Sequence, residues 1–376
     1  MFPHIEYLEW FEGRPDVAMY DLGSSDLRSV TEEQERPSTV PPALEGRSDP
    51  PVGATLEMQI AGEYGVDPEC VLVTAGASHA NFLAIATALD ADPESERAED
   101  ERLRALVEKP GYEPHRRTPE AFGAAVDRFL REDDYRLVPE RVEKALTPDT
   151  HLVTVTNRHN PSGRLAERET LAAVADHARD YDARLLVDEV YAPFVTDAQA
   201  RADGPLGGPT AAGIEDAVIT GSLTKFLGLG DLRIGWLIAD ADFVERAREV
   251  AHHVPSVADV SRAYGMRAFH HSEDLLADQR AMLAENSALL AEFIAERDDV
   301  EGFVADGSTF AFLEPTAVDT DDLVERAWEN GLLLAPGRFF EDDARVRVSL
   351  GRAPTDMDAA LRVLASLLDA PDSSKS

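Results

Sequence analysis

Hydrophobic and polar positions along the chain fall into two alternating textures. Apolar residues at helical spacing predict helices over 56–64, 78–89 and 167–179, and a further helix opening at Val138-Pro139-Glu140 and running to 145. Short apolar or alternating runs predict strands over 70–74, 151–156, 185–187, 217–220 and 235–238, and another unit begins over 102–108. Strands that alternate with helices imply an α/β protein, with a mostly parallel sheet flanked by helices. A long helical stretch over 274–297 carries Leu283, Leu289, Leu290 and Phe293. Beyond it the texture is α+β: a strand over 310–313, a helix from 321 and a strand over 346–348. We therefore expect a large domain over 48–275 and a smaller α+β domain built from 1–47 and 276–376. Residues 1–47, which end near Pro37-Ser38-Thr39-Val40-Pro41-Pro42, read as an arm and loop, and the polar tail from Pro371 as frayed.

Composition narrows the function. The net charge is −36, from 36 basic and 72 acidic residues. This argues against nucleic acid, which needs basic patches to displace counterions. The only lysines are Lys109, Lys144, Lys225 and Lys375. So acidic and lysine-poor a chain resembles halophilic proteins, whose carboxylates keep the surface hydrated in salt, and suggests a haloarchaeal source. The lone Cys70 excludes an internal disulfide and a cysteine zinc site; beside Val71-Leu72-Val73 it reads as core. No apolar run is long enough to span a bilayer, and Met1-Phe2-Pro3-His4-Ile5-Glu6 has no signal-like character, so a cytoplasmic protein without membrane contact is expected.

Candidate chemistry lies in short segments. Ser222-Leu223-Thr224-Lys225 is followed by Gly230-Asp231-Leu232-Arg233-Ile234-Gly235. A lysine that captures an aldehyde must be positioned and its amine pKa must fall. Pyridoxal 5′-phosphate (PLP) offers an aldehyde beside a dianionic phosphate, and Ser222 and Arg233 are donor types that suit the phosphate. The plain alternative is a surface lysine in a glycine-rich loop. Leu186-Val187-Asp188-Glu189-Val190-Tyr191 reads as a buried strand that ends in a carboxylate, at the place where α/β sheets bind ligands. Asp188 suits the task of keeping a pyridine nitrogen protonated, and Tyr191 that of donating to the ring's phenolate oxygen. A capped strand end with a core tyrosine is the alternative.

Asn157-Arg158-His159-Asn160-Pro161-Ser162-Gly163 follows a strand; Asn160 has an amide for the same oxygen, and His159 reads as structural. Thr74-Ala75-Gly76-Ala77-Ser78 joins a strand to a helix, where free backbone N–H groups of Ala77 and Ser78 suit an anion. Tyr112 in Pro110-Gly111-Tyr112-Glu113-Pro114 is a candidate to stack on a flat ring. In Arg345-Val346-Arg347-Val348-Ser349-Leu350, Arg347 and Arg345 share one face of a strand, and either has the fork for an α-carboxylate.

These residues in this order resemble the fold-type I PLP enzymes, specifically class I/II aminotransferases related to aspartate aminotransferase, over about residues 56–351. The resemblance implies that Lys225 is the Schiff-base lysine, Asp188 pairs with the pyridine nitrogen, and Asn160 and Tyr191 meet the phenolate oxygen. It also implies that Ala77, Ser78, Ser222 and Arg233 hold phosphate, Tyr112 stacks on the ring and Arg347 takes the substrate carboxylate. Pro336-Gly337-Arg338-Phe339-Phe340 resembles the family's small-domain turn. Many relatives carry a tyrosine before a Pro-x-Gly turn that reaches the neighbouring subunit's phosphate; Gly46-Arg47-Ser48-Asp49-Pro50-Pro51-Val52-Gly53 has none. Gly23-Ser24-Ser25-Asp26 also differs from the usual arm and is a candidate to line the substrate site.

The activity implied is transamination between an amino acid and a 2-oxo acid in a homodimer, with no metal. Two rivals stand beside it. A PLP-dependent lyase or cyclising synthase uses the same lysine and aspartate, because all these reactions pass through loss of the Cα proton. A non-catalytic PLP-fold binding protein fits less well with an intact set of lysine, aspartate and arginine.

Overall fold

The computed structural model describes residues 3–27, 40–90, 103–192, 206, 208–254 and 257–370; positions 37–39, 102 and the tail from 371 lie outside them. The N-terminal arm, expected to be irregular, contains helices α1 (Glu6–Phe11) and α2 (Arg14–Val17) and strand β1 (Tyr20–Asp21). Then come α3 (Leu56–Tyr64), β2 (Val71–Thr74), α4 (Ala77–Ala88), β3 (Arg104–Lys109), α5 (Glu113–Ala121) and β4 (Ala125–Leu130). The next segment carries α6 (Pro139–Ala145), β5 (Thr150–Thr156), α7 (Arg168–Arg179), β6 (Arg184–Asp188), β7 (Ala217–Ser222) and β8 (Gly235–Ile238). Helices α8 (Ala241–Ala251), α9 (Asp259–His270) and α10 (Ser272–Ala295) lead into β9 (Val300–Glu301) and β10 (Phe310–Pro315). The chain closes with α11 (Thr320–Glu329), β11 (Leu332–Leu333), β12 (Ala335–Pro336), β13 (Val346–Ser349) and α12 (Pro354–Asp369).

The central sheet has seven strands in the order β2-β8-β7-β6-β5-β3-β4. It is parallel from β7 to β4, and β8 runs antiparallel to both of its neighbours. Alternation along the strands feeds two cores. Leu185, Val187 and Ile219 enter a large cluster on one face, and Leu186, Val218 and Leu237 pack with α4 and α8 on the other. Both faces are therefore covered, as a parallel sheet requires. A smaller antiparallel sheet, β12-β13-β10-β9, comes from the C-terminal part. The arm joins that part: Tyr20 and Asp21 of β1 pair with Leu332 and Leu333 of β11.

Several expectations need correction. Cys70 belongs to a 3-10 turn (Pro68–Cys70) and is only half-buried, so it is not a core residue. Burial and the nearby Asp67 and Glu69 push its thiol pKa up, away from nucleophilic behaviour. Helices α5, α8, α9 and α12 and strand β4 are not among the expected elements, and α5 and β4 have a physical reason. The sequence EPHRRTPEA turns Glu113 and His115 inward, so it has no apolar stripe, and β4 lies at the sheet edge with mixed burial.

Candidate active site

A cavity of about 760 Å³ opens at the C-terminal ends of the parallel strands, where Thr156, Asp188 and Ser222 terminate β5, β6 and β7. The same cavity is lined by Ala77, Ser78, Tyr112, Asn160, Tyr191, Lys225 and Arg233, so the structure brings these sequence-predicted residues together. Arg347 lies just behind the wall, bonded to Asn160.

The carboxylate of Asp188 is buried and ringed by N–H donors. Asn81 Nδ2 donates to its Oδ2 at 2.8 Å, His115 Nε2 lies 3.2 Å from the same oxygen, and the Val190 N–H reaches Oδ1 at 3.2 Å. The Thr220 hydroxyl donates to Asn81 Oδ1 at 2.5 Å, which fixes the amide's orientation. Asn81 and His115 were not singled out from the sequence. Asn81 did carry a signal: it is a polar residue on the buried face of the apolar helix α4. His115 is 34 residues from Asn81 and carried none.

At the start of α4, Gly76 adopts φ +84° and leaves the first N–H groups of Ala77 and Ser78 without a side-chain cap. Arg233 sits in the left-handed region at φ 50°, with its guanidinium beside Gly76. Gly235 lets β8 approach this turn: a Cβ there would lie 2.4 Å from the Gly76 carbonyl carbon. Helix N-terminus, guanidinium and the Ser222 hydroxyl line one cavity and are groups that could together hold a dianion.

Lys225 Nζ lies 2.9 Å from Ser25 Oγ, and the Tyr191 hydroxyl donates to that same oxygen at 2.9 Å. Burial lowers the pKa of Lys225, with Asp26 opposing the shift. The opposite sign holds for Tyr191, which burial pushes up to about 12. Tyr112 directly precedes α5 and meets His115 and Tyr7 edge-on, at ring-centroid distances of 5.3 and 5.7 Å.

Arg347 and Arg345 separate cleanly. Arg345 is half-buried and paired with Glu314 at 2.5 Å and Asp342 at 2.7 Å. Arg347 is 0% exposed. It donates to Asn160 Oδ1 at 2.8 Å, the Tyr7 hydroxyl at 3.0 Å and the Gly23 carbonyl at 2.7 Å. Its Nε has no acceptor, and among the described residues no carboxylate lies within ion-pair distance. Tyr7, from α1, and Ser24 to Asp26 also line the cavity, so the arm contributes to the site.

His159 is fully buried. Its Nε2 reaches the Pro110 carbonyl at 3.0 Å and its Nδ1 the Ser162 hydroxyl at 2.7 Å, while Tyr135 stacks on the ring. Burial and Arg131 hold its pKa well below the usual range. A neutral histidine with both nitrogens engaged is structural.

The family model for aminotransferases of class I and II matches residues 20–364. The chain belongs to this family. Family membership brings PLP as the cofactor, and the dianion site, enclosed carboxylate and lysine described above fit that group. Among curated relatives, capreomycidine synthase of Streptomyces vinaceus is 25% identical over 96% of this chain and 92% of its own. An aromatic amino acid aminotransferase of Mycobacterium sp. (strain KMS) is 29% identical over 60% of this chain and 59% of its own. The solved structure of a PLP-dependent aminotransferase from Streptococcus suis 89-1591 superposes with a TM-score of 0.81. It shares 23% identity and covers 99% of this chain and 100% of its own, and so supports the fold.

Proposed function

We propose that the protein is a PLP-dependent aminotransferase that moves an amino group between an amino acid and a 2-oxo acid. The observation that carries this reading is Arg347, a fully buried guanidinium with neutral partners and a free Nε–H. A buried cation left unpaired is costly, and a bound carboxylate removes that cost. The α-carboxylate is the group that amino acids and 2-oxo acids have in common.

The other residues divide the remaining work. When bound, PLP supplies an aldehyde that captures amines and a protonated ring that draws electrons from Cα. Ala77, Ser78, Ser222 and Arg233 would hold its phosphate, and Asp188, oriented by Asn81 and His115, would face its ring nitrogen. Asn160 and Tyr191 would meet the phenolate oxygen, and Tyr112 would lie against the ring. Lys225 would anchor the aldehyde and, once released, would take the Cα proton onto Nζ as general base and give it to the cofactor's C4′ carbon as general acid. Its burial-lowered pKa favours the neutral amine that this task needs.

A second reading is supported by capreomycidine synthase, which matches over 96% of this chain and 92% of its own. A cyclising or eliminating enzyme would use the same lysine and aspartate, and the substrate's leaving group would decide the outcome. One experiment separates the two. PLP-loaded protein is incubated with pooled L-amino acids and 2-oxoglutarate, and the products are read by mass spectrometry. Glutamate appearing as one donor disappears supports transamination. Loss of a donor by elimination or ring closure, with 2-oxoglutarate untouched, overturns it.

We also infer a homodimer working in a salt-rich cytoplasm, a reading that rests on the family and on the charge of −36. No helix among the described residues is long and apolar enough to cross a membrane.

A further inference from the structure

Residues 22–27 run as a strap between the two sheets, fastened at almost every step. On one side the Leu22 N–H donates to the Leu333 carbonyl at 2.9 Å, and the Ser349 N–H to the Leu22 carbonyl at 2.7 Å. Arg347 holds the Gly23 carbonyl at 2.7 Å, and Arg352 the Asp26 carbonyl at 2.8 Å. Asp21 Oδ1 accepts the N–H groups of Gly23 and Ser24 at 3.0 and 2.8 Å. On the other side the Leu27 N–H donates to the backbone carbonyl of Lys225 itself at 3.2 Å. Two glycines make the fit close. A Cβ on Gly228 would stand 2.2 Å from the Leu27 carbonyl oxygen, and one on Gly351 would stand 2.3 Å from that of Asp26. The strap therefore has one position relative to Lys225.

That position puts Ser25, buried at 4% exposure, between two site groups. Its Oγ lies 2.9 Å from Lys225 Nζ and 2.9 Å from the Tyr191 hydroxyl. We propose that Ser25 is a positioning residue for Lys225, receiving the amine whenever it is free and fixing its rotation. This rests on the reading of Lys225 as the group that moves the Cα proton.

The chemistry is that of one acceptor and one base. A neutral amine has two N–H groups and a lone pair. Donating one N–H to Ser25 Oγ leaves the lone pair unengaged, ready to take a proton. Once Nζ has taken that proton it is an ammonium, and the same contact becomes a charge-assisted hydrogen bond, shorter and stronger than the neutral one. The strap's backbone bonds hold Ser25 in place, so the amine cannot swing without breaking its bond to Oγ, and the Tyr191 hydroxyl, which donates to that oxygen here, stays available to meet the phenolate oxygen when the cofactor is bound. Asp26 on the strap, Tyr7 on α1, Arg347 in β13 and Arg352 beyond it act electrostatically on Lys225, and Asp188, Tyr191, Tyr112, Asp231 and Arg233 line the same cavity. The hydrogen bond that Nζ makes is to Ser25 Oγ.

Two measurements test this. The first is independent of substrate: cofactor-free protein is labelled with a trace of acetic anhydride across a pH series, and acetylation of Lys225 is read by peptide mass spectrometry. Ser25→Ala should shift the midpoint of Lys225 reactivity to lower pH, because the contact that favours the ammonium is gone. Ser25→Thr, which keeps the hydroxyl, should restore it. The second uses PLP-loaded protein with pooled L-amino acids in D2O and follows deuterium entering Cα. Ser25→Ala should slow exchange on the order of tenfold, at the low end of general-base effects, with PLP loading and Tm close to the parent. If Ser25→Ala does not fold, Ser25→Cys has nearly the same volume and only a weak acceptor, and the same shift is expected of it. An unmoved labelling midpoint with unchanged exchange overturns the role of Ser25. A parent protein that exchanges no amino acid overturns the aminotransferase reading instead, and the labelling series still decides the contact.

Discussion

At the scale of residues, pairing matters more than position. Arg347 lies within β13 and Arg345 just before it, two residues apart in sequence, and spacing alone does not choose between them. The difference is that Arg345 has two carboxylate partners and Arg347 has none among the described residues. Arg347→Lys should lower kcat/KM for the amino acid by roughly 2–4 kcal/mol of transition-state binding, since lysine has no fork to match a carboxylate. PLP loading should stay near normal, because the phosphate groups lie elsewhere. Arg345→Lys should change kcat/KM little. Steady-state kinetics on both variants checks this, and the reverse ranking would remove Arg347 from the substrate site. Motif residues such as Asp188 and Lys225 were legible because each sits in a contiguous pattern at a strand end. Of their supports, Ser25 belongs to the arm segment Gly23-Ser24-Ser25-Asp26 expected to line the site, and Asn81 showed as a polar residue on an apolar helix; His115 and Tyr7 were not legible, because long-range folding alone brings them near.

A second residue-scale consequence follows from Glu189, which is buried beside Asp188. It accepts from the Thr210 hydroxyl at 2.7 Å and the Ala211 N–H at 2.6 Å, yet burial outweighs both bonds and raises its pKa to about 8. Between the ordinary carboxylate range and that value the folded chain holds a proton that the unfolded chain has lost. Stability from this group therefore falls as pH rises across about 4.5 to 8, then levels off. Glu189→Gln keeps an acceptor for Ala211 and carries no charge. Its denaturant midpoint should exceed that of the parent above pH 8, and the gap should close towards pH 5. A gap that stays constant across the series would show that Glu189 does not titrate in this window.

At the scale of elements, the α/β core was legible where strands were apolar and helices periodic. Helix α4 and strands β5 to β8 were read with boundary shifts of one or two residues, since turns tighten or extend the ends. Helix α5 escaped because its inward face is polar, and the arm because α1 is short and its burial depends on aromatic neighbours from distant segments. The phosphate turn offers a test of how elements meet. In Gly235→Ala the new methyl would lie 2.4 Å from the Gly76 carbonyl carbon and 2.8 Å from the Ala77 nitrogen, both backbone atoms. Strand β8 must then withdraw from the start of α4, spreading the N–H groups proposed to hold the phosphate. Equilibrium dialysis should show PLP affinity weakened by at least about tenfold, since one lost charge-assisted contact is worth roughly 1.5–3 kcal/mol. Unchanged affinity would mean that the start of α4 does not hold the phosphate.

At the scale of the whole molecule, the charge of −36 becomes a condition for assembly. Most arginines are spent on local pairs, such as Arg246 with Asp90 and Arg297 with Asp299 and Asp369, and the acidic excess remains. Like charges repel within one chain and again between two, because a dimer brings together twice −36. At 0.1 M salt the Debye length is about 10 Å and repulsion reaches across a surface patch; at 1 M it is about 3 Å and little beyond contact survives. Salt should therefore raise Tm and favour the dimer, with most of the gain complete by about 1 M, where screening is already nearly full. A rise that continued linearly to several molar would point instead to general strengthening of apolar burial. Thermal scans and light scattering across a potassium chloride series check both. We expect a dimer in molar salt, and a lower Tm with a mass falling towards that of one chain at low salt. A salt-independent Tm together with an unchanging monomer mass would refute both the screening argument and the dimer.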